Sequence, residues 1–529
     1  MPDESEGLRI ACERIAKEKE ERTGFLDLGR LGLQSWPEEL WGLEHLISLN
    51  LGDEWYENGA LREAESNFTP NQLNPQNAQW SSFLCLKSLF IHSMGWTDLS
   101  SISRLSSLQF LDCAFNQLTT LEPLAGLSSL QSLHCYANSL TTLEPLAGLN
   151  SLQSIECYGN ELTSLAGLED CSSLQSIVCP GNQITTLRGL EGCCSLRHLE
   201  CHNNQLTTLE GLQGCRLLKY LDCKGNQLTT LNELKNCLSL SSLHCSGNRL
   251  TTLEGLEGCS LLGFLDCCNN QLSTLKGLKG SAIESLICYY NRLTTLEGLE
   301  GCSFLRHLQC HGNRLTTLKG LEDCFSLEYL ECQSNQLTML NGLKNCSSLE
   351  CLNCYSNQIT TLKELEDCTS LRYLACYDNR LTTLEGLEGA TALQSIQCWD
   401  NPVEKLSAKL IWRESLKTLI VSGTAIDGIP AEALSLNSGD NCIERLRAHL
   451  RDLEKGEALL PDVKIMVLGN GRIGKTQLCN RLRELPFEEN PDSTHGITVA
   501  SHQFRSDTLL RLWDFGGQDI YHGTHALFI

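Results

Sequence analysis

Near its C-terminal end the chain reads Gly469-Asn470-Gly471-Arg472-Ile473-Gly474-Lys475-Thr476, which is G-x-x-x-x-G-K-[ST]. An apolar run, Val463 to Leu468, stands before it, and Leu478 and Leu482 follow at helical spacing. The pattern therefore lies between an expected strand and an expected amphipathic helix. In that setting the glycines let backbone N–H groups wrap phosphate oxygens, and the helix N-terminus adds positive dipole. Lys475 then reaches the β and γ phosphates, and Thr476 binds Mg²⁺. A second apolar run, Leu509 to Trp513, delivers Asp514-Phe515-Gly516-Gly517-Gln518. In a D-x-x-G loop followed by Gln, Asp514 supports Mg²⁺, the Gly517 amide meets a γ-phosphate and Gln518 orients an attacking water. Thr494, in Thr494-His495-Gly496-Ile497, completes a candidate Mg²⁺ set of Thr476, Thr494 and Asp514. Gln518 and Lys475 are the catalytic candidates. His522 and His525, three residues apart, suit either a helical pair of metal ligands or two surface histidines.

Such side chains need rigid elements behind them, and the rest of the chain is organised by a repeat. From Leu108 the pattern L-x-x-L-x-C-x-x-N-x-L-T-T-L-x-x-L recurs. Its Asn falls at Asn116, Asn138, Asn160, Asn182, Asn204, Asn226, Asn248 and Asn270, always 22 residues apart. After one 21-residue step it continues at Asn291, Asn313, Asn335, Asn357, Asn379 and Asn401. In each L-x-C the side chains alternate with period 2, so Leu and Cys share one face of a strand. One such strand buries nothing alone, but strands stacked in register at about 4.8 Å form a parallel sheet over a continuous core. Each Asn stands where the chain leaves the strand, and its amide can pair loop backbone groups that would otherwise be buried alone. So short a period favours 3₁₀ or extended segments on the outer side.

Divergent units extend the pattern both ways. Upstream are Leu26-x-Leu28 with Leu31, Leu33, Trp36 and Pro37, then Leu49-x-Leu51, then Leu89-x-Ile91 with Met94. Downstream is Leu419-x-Val421 with Thr424, Ile426, Ile429 and Pro430. The total is about 18 units and a curved sheet of order 85 Å. Gly52 to Ser82 interrupts the period with Pro, Asn and Gly and reads as a surface insertion. Asn441 to Lys455 carries Ile443, Leu446, Leu450 and Leu453 at helical spacing with Gly456 just beyond, which predicts an amphipathic linker helix.

The chain has 30 cysteines. A Cys stands three residues before each repeat Asn, from Cys113 to Cys398, and divergent units fill that slot with Leu28, Leu51, Ile91 and Val421. A second ladder, from Cys171 to Cys368, shares its slot with Leu127, Leu149 and Ala390. A slot that accepts aliphatic side chains wants an apolar group, so both ladders read as core rather than as metal or redox chemistry. The strand positions just before each Cys include Asp112, Glu156, Glu200, Asp222, Asp266 and Glu331. Those just after include Tyr136, Tyr158, His202, Tyr289, His311, Tyr355, Tyr377 and Trp399. Exposed strand positions favour Tyr and tolerate charge in any case. The functional alternative is a concave docking face for a protein with basic anchors, built on Tyr136, Tyr158, Tyr289, Tyr355, Tyr377 and Trp399.

Formal charge is −23, so the surface repels phosphate backbones and anionic membranes, and neither nucleic acid nor membrane is an expected partner. Met1 to Thr23 lacks an apolar leader core, and no run of 18 apolar residues occurs anywhere. A cytoplasmic, monomeric protein is expected, with the sequon Asn67-Phe68-Thr69 as the one feature of an extracellular chain.

The repeats resemble the leucine-rich repeat family in its short 22-residue class. Lys475, Thr476, Asp514 and Gln518 resemble the small-GTPase class. The order of the two parts, with Trp513 to Gly517 running on into Tyr521-His522-Gly523-Thr524-His525, resembles the Roco proteins, in which such repeats precede a Roc GTPase domain. That resemblance implies GTP/GDP and Mg²⁺ as ligands and a GTP-hydrolysing signalling switch. It divides the chain into a helical cap (1–24), an α/β repeat solenoid with its parallel sheet on the concave face (25–435, insertion 52–82), a linker helix (436–460) and the first half of a Roc-type P-loop domain (461–529). From Val463 to Ile529 there is no N/T-K-x-D or S-A-K-like guanine loop, nor the COR domain that follows Roc in the family. The expectation is a fragment or truncated frame in which GTP and ATP are not distinguished. A non-catalytic interaction scaffold and an ATP-using P-loop protein are the alternatives.

Overall fold

The structure, a computed structural model, describes residues 4–57, 60–423, 426–454, 462–467, 474–489, 497–505 and 508–515. The chain forms two compact units, residues 1–446 and 447–529.

The first unit is a solenoid with an 18-stranded parallel sheet, running in chain order from Phe25–Asp27 to Thr418–Ile420. The register repeats without slip: Leu199 pairs with Leu221, Leu221 with Leu243 and Leu243 with Leu265. Each strand is three residues long, and the opposite side of each turn is a short 3₁₀ segment such as Glu122–Leu124, Asn232–Asn236 or Lys363–Leu365, or an irregular turn. A full helix needs more chain than a 22-residue repeat leaves after its strand and two corners. The repeat Gly at the convex corner has its own reason: Gly211 adopts φ +116°, and a Cβ there would lie 2.1 Å from the Leu187 carbonyl oxygen.

The Asn ladder holds the corners. Asn226 Nδ2 donates to the carbonyls of Cys201 (3.1 Å), Cys223 (3.0 Å) and Lys224 (3.3 Å), while its Oδ1 accepts from Leu206 N–H at 2.9 Å. One side chain thus ties its own repeat to the preceding one, and the same pattern recurs at Asn204 and Asn248.

The insertion differs from the expected surface excursion. Asn71 Nδ2 donates to Leu28 and Leu51 carbonyls, each at 2.8 Å, and its Oδ1 accepts from Leu31 and Leu33 N–H. Those are the bonds of a ladder Asn, so the repeat begun at Leu49 resumes at Asn71-Gln72-Leu73, twenty residues past Leu51 where the regular spacing is three. The looped-out chain forms an antiparallel hairpin, Glu54–Glu57 with Ala60–Glu63. It lays Trp55 against Phe25 (ring centroids 4.2 Å apart) and Tyr56 among Phe90, Phe110 and His134. Rings that the repeat would leave in water are covered by this strap.

At the N-terminal end the helix Glu4–Glu21 buries Ala11 and Ile15 over the first repeat. Its Glu18 is 4% exposed and accepts from Gly24 N–H at 2.7 Å, with His45 Nε2 at 2.9 Å. At the other end Asn441 accepts the free-edge N–H of Leu419 at 3.0 Å and donates to Lys417 O, capping the sheet where the helix Ile443–Glu454 begins.

Both Cys ladders are core, with Cys113 to Cys398 and Cys171 to Cys368 at most 1% exposed and every described cysteine a free thiol. Burial pushes the thiols up, Cys157 to about 12, so none is a nucleophile near neutral pH. The ladders differ in one respect. In the outer ladder thiols often donate to a carbonyl of the preceding turn, as Cys302 Sγ does to Leu278 O at 3.2 Å. Cys223→Val is expected to leave thermal stability nearly unchanged, whereas Cys223→Ser should cost about 1–3 kcal/mol by burying a poorly paired hydroxyl. Cys302→Val should cost less than about 1 kcal/mol, because the Leu278 carbonyl loses the thiol but keeps the Ser281 N–H at 2.9 Å. Equal harm from Val and Ser at position 223 in a thermal melt would contradict the apolar reading.

The second unit has a three-stranded sheet with Thr508–Phe515 in the middle, parallel to Asp462–Val467 and antiparallel to Ile497–Arg505. The helix Lys475–Leu482 packs on the central strand. Leu510, Leu512 and Asp514 alternate along that strand and are all buried. Lys464 Nζ lies 4.2 Å from the Trp513 ring centroid.

Candidate functional site

The two apolar runs of the second unit become neighbouring parallel strands, Val467 facing Asp514 in register, so both deliver their loops to one edge of the sheet. The first strand leads to Gly474, which adopts φ +88° immediately before the helix and so suits a residue without a Cβ. Lys475 and Thr476 open that helix, and Asp514 closes the central strand. Thr476 Oγ1 and Asp514 Oδ2 meet at 2.6 Å across 38 residues of sequence. Lys475 and Asp514 are only 8% and 4% exposed, so both charges are held in a shielded setting. A pocket between helix and sheet is lined by Thr476, Cys479, Asn480, Arg483, Leu512 and Asp514, among others. Burial and then the neighbouring Asp514 carboxylate push the Cys479 thiol up, partly offset by Arg483.

A hydroxyl and a buried carboxylate supply the oxygen donors a small hard cation takes, so Thr476 and Asp514 fit Mg²⁺, while the helix N-terminus beside them favours phosphate. Of the other expected site residues, Gly469, Asn470, Gly471, Arg472, Ile473, Thr494, Gly517 and Gln518 lie outside the described residues, as do His522 and His525.

On the solenoid's concave side the expected aromatics come together as stacks, because in-register strands set equivalent side chains one strand spacing apart. Tyr136 stacks on Tyr158 at 4.2 Å, Tyr289 on His311 at 4.5 Å, and Tyr355, Tyr377 and Trp399 form a continuous trio at 4.3 and 3.8 Å. A second ring column was hidden in the strand's first position, where His198 stacks on Tyr220 and His307 on Tyr329. Its signal was available in the x of the L-x-x-L spacing, since that residue shares the outward face with the position before Cys.

Three expected surface residues are not exposed. Tyr136 is 5% exposed, closed in by Phe115, Tyr158 and the His92 ring. Asp112 is fully buried and accepts from Ala114 N–H. Asp222, 3% exposed, is paired with Lys224 at 3.0 Å and His202 at 3.2 Å. Neighbouring side chains on a concave sheet lean together, so an outward register position need not reach solvent.

Comparison with known proteins follows the same division. The model of the Roc domain ("Ras of Complex, Roc, domain of DAPkinase") matches residues 464–529. The model "Leucine Rich repeats (2 copies)" matches residues 106–148, 194–236 and 326–367. This is a Roco-type chain: leucine-rich repeats, then a Roc domain. Among curated relatives, it is 29% identical over 138 residues to the probable serine/threonine-protein kinase pats1 of Dictyostelium discoideum, covering 22% of this chain and 4% of that one. It is 28% identical over 136 residues to a Roc-COR-CHAT protease of an unknown prokaryotic organism, covering 23% and 13%. A 62-residue stretch is 34% identical to the Ras-related protein Rab-28 of Caenorhabditis elegans, covering 11% and 25%. The chain thus spans a quarter or less of each of these relatives. A solved leucine-rich repeat protein of Leptospira interrogans superposes with TM-score 0.54 at 23% identity, covering 82% of this chain and 96% of that one, which shows the solenoid fold. Among the described residues no helix is long and apolar enough to cross a membrane.

Proposed function

We propose that this Roco-type chain belongs to a cytoplasmic signalling protein that couples a protein-docking solenoid to a guanine-nucleotide switch, hydrolysing GTP when its Roc domain is complete. The observation that carries the nucleotide half is the meeting of Thr476 with Asp514 beside Lys475. These are the three chemically defined members of a phosphate-and-Mg²⁺ site, brought together from distant sequence. Thr476 and Asp514 would hold Mg²⁺, which would supply charge neutralisation at the phosphate oxygens. Lys475 adds a point charge at the same oxygens, and the backbone from Gly469 to Gly474 contributes N–H donors. By the motif, Gln518 would orient the attacking water, Thr494 would join the metal ligands and Gly517 would donate to the γ-phosphate. GTP is preferred to ATP as the ligand because D-x-x-G followed by Gln matches the GTPase pattern and Rab-28 is Ras-related. The Discussion gives the binding experiment that tests this half.

The docking half rests on solvent-facing ring stacks beside carboxylates. Simultaneous replacement of Tyr355, Tyr377 and Trp399 by Ala is expected to abolish capture of a protein partner from cell extract while leaving the circular-dichroism melt in place. An unchanged capture profile would leave the rings with no binding role. Finding glycan on Asn67 of the natural protein would overturn the cytoplasmic placement.

A further inference from the structure

Among the described residues of the solenoid, the concave face carries its own occupant at the N-terminal end and none near the C-terminal end. Near the N-terminus the hairpin Glu54–Glu57/Ala60–Glu63 covers Phe25, Phe90 and Phe110, and the helix Glu4–Glu21 sends the Arg14 guanidinium to Asp27, donating to its carbonyl at 2.7 Å and approaching Oδ2 at 3.3 Å. Within the molecule, then, this face accepts a guanidinium at a carboxylate of the outward register next to a tilted ring pair, Phe25 with Trp55.

Near the C-terminus the same ingredients recur without an internal partner among the described residues. Tyr355, Tyr377 and Trp399 are half-buried, mutually parallel to within 10°, and so cover one another's faces. The column continues with Ser422, which has no ring to cover the outer face of Trp399. Asp378 and Asp400, the residues following Tyr377 and Trp399, are exposed and held at φ +53° and +51°. Asp378 Oδ2 accepts from Ser356 Oγ at 2.8 Å, which fixes the carboxylate beside the stack. Across the outward positions of the strands from Tyr329–Glu331 to Thr418–Ile420 there are carboxylates, amides, hydroxyls and rings, but no Lys, Arg or His. The site is one π face, that of Trp399 at the end of the stack, flanked by two carboxylates, with no Lys, Arg or His at the outward strand positions among the described residues.

We infer that this end of the concave face docks an extended, arginine-bearing segment of a protein partner, one guanidinium extending the ring stack at Trp399 while bonding Asp400, and a second reaching Asp378. The choice of arginine is chemical. A guanidinium is planar, weakly hydrated and able to stack on an aromatic face while bonding a carboxylate in its own plane. An ammonium is compact and strongly hydrated, and satisfies only the charge. The assignment rests on the concave-face reading above and adds the partner's chemistry to it.

The probe is an acetylated peptide of alternating Arg and Ser, with a Lys–Ser peptide as comparison, titrated calorimetrically into the full chain at near-physiological salt. The Arg peptide is expected to bind about tenfold more tightly than the Lys peptide. Trp399→Ala and Asp400→Asn should each weaken it about five- to tenfold, while Phe304→Ala, at an exposed ring outside the concave strands, leaves it unchanged. Asn tolerates the positive φ at position 400, so that variant retains the fold. Equal affinity for the two peptides, or indifference to both substitutions, would overturn the assignment as bulk charge attraction. If the Arg peptide does not bind while the Tyr355/Tyr377/Trp399 replacement still abolishes partner capture, the guanidinium assignment fails and the docking reading stands.

Discussion

Asn226→Ala is expected to destabilise the solenoid by about 3–5 kcal/mol, far more than its size suggests. The side chain accepts from Leu206 N–H and donates to three carbonyls across two successive repeats, all in a buried corner. Alanine leaves the Leu206 N–H without a partner, at about 1–3 kcal/mol, and removes one of the two donors to each of the Cys201, Cys223 and Lys224 carbonyls, which keep Asn204, Asn248 and the Asn203 N–H, at about 0.5–1.5 kcal/mol per lost bond. Because repeats contact only their neighbours, the damage should be local first: amide exchange should accelerate at Leu206, Cys223 and adjoining strands before the ends of the solenoid respond. Thr229→Ala, exposed three residues away, is the control and should change stability by less than about 0.5 kcal/mol. Matching losses for the two variants would mean that the ladder is not what holds the corners.

The solenoid was legible because one period fixes strand, corner and core at once. Asn spacing gave the register, and aliphatic substitution in the Cys slots gave the core. The insertion was harder, since a strap is set by what it covers rather than by its own period. Even so, Asn58-Gly59 between two runs is a strong hairpin signal, and Asn71-Gln72-Leu73 repeats the ladder signature. Burial of Tyr136, Asp112 and Asp222 could not be read from alternation, because it arises from side chains leaning across neighbouring strands. In the second unit the motif named Lys475, Thr476 and Asp514. Their convergence follows from two apolar runs pairing in parallel, whereas the antiparallel edge strand Ile497–Arg505 had no clear pattern of its own.

The second large effect concerns those three residues. A nucleotide is held by its phosphates and by its base, and the sequence from Val463 to Ile529 contains the phosphate half without an N/T-K-x-D loop. Losing base contacts removes several kcal/mol of selective binding, and each 1.4 kcal/mol is about tenfold in affinity. The 529-residue chain is therefore expected to bind Mg²⁺–GTP weakly, with no preference over Mg²⁺–ATP and little change on Lys475→Ala. Joined to a segment bearing the guanine loops of a Roc domain, the same site should bind GTP tightly. Lys475→Ala and Asp514→Ala should then each weaken binding about 10- to 100-fold, because each removes a charge-assisted contact in a shielded setting.

Calorimetric titration of Mg²⁺–GTP into the extended chain, with and without Lys475→Ala, is the most direct test of the nucleotide switch. Tight, guanine-selective binding that collapses in the variant is the predicted result. Binding that ignores Lys475, or submicromolar guanine-selective binding by the 529-residue chain alone, would contradict it.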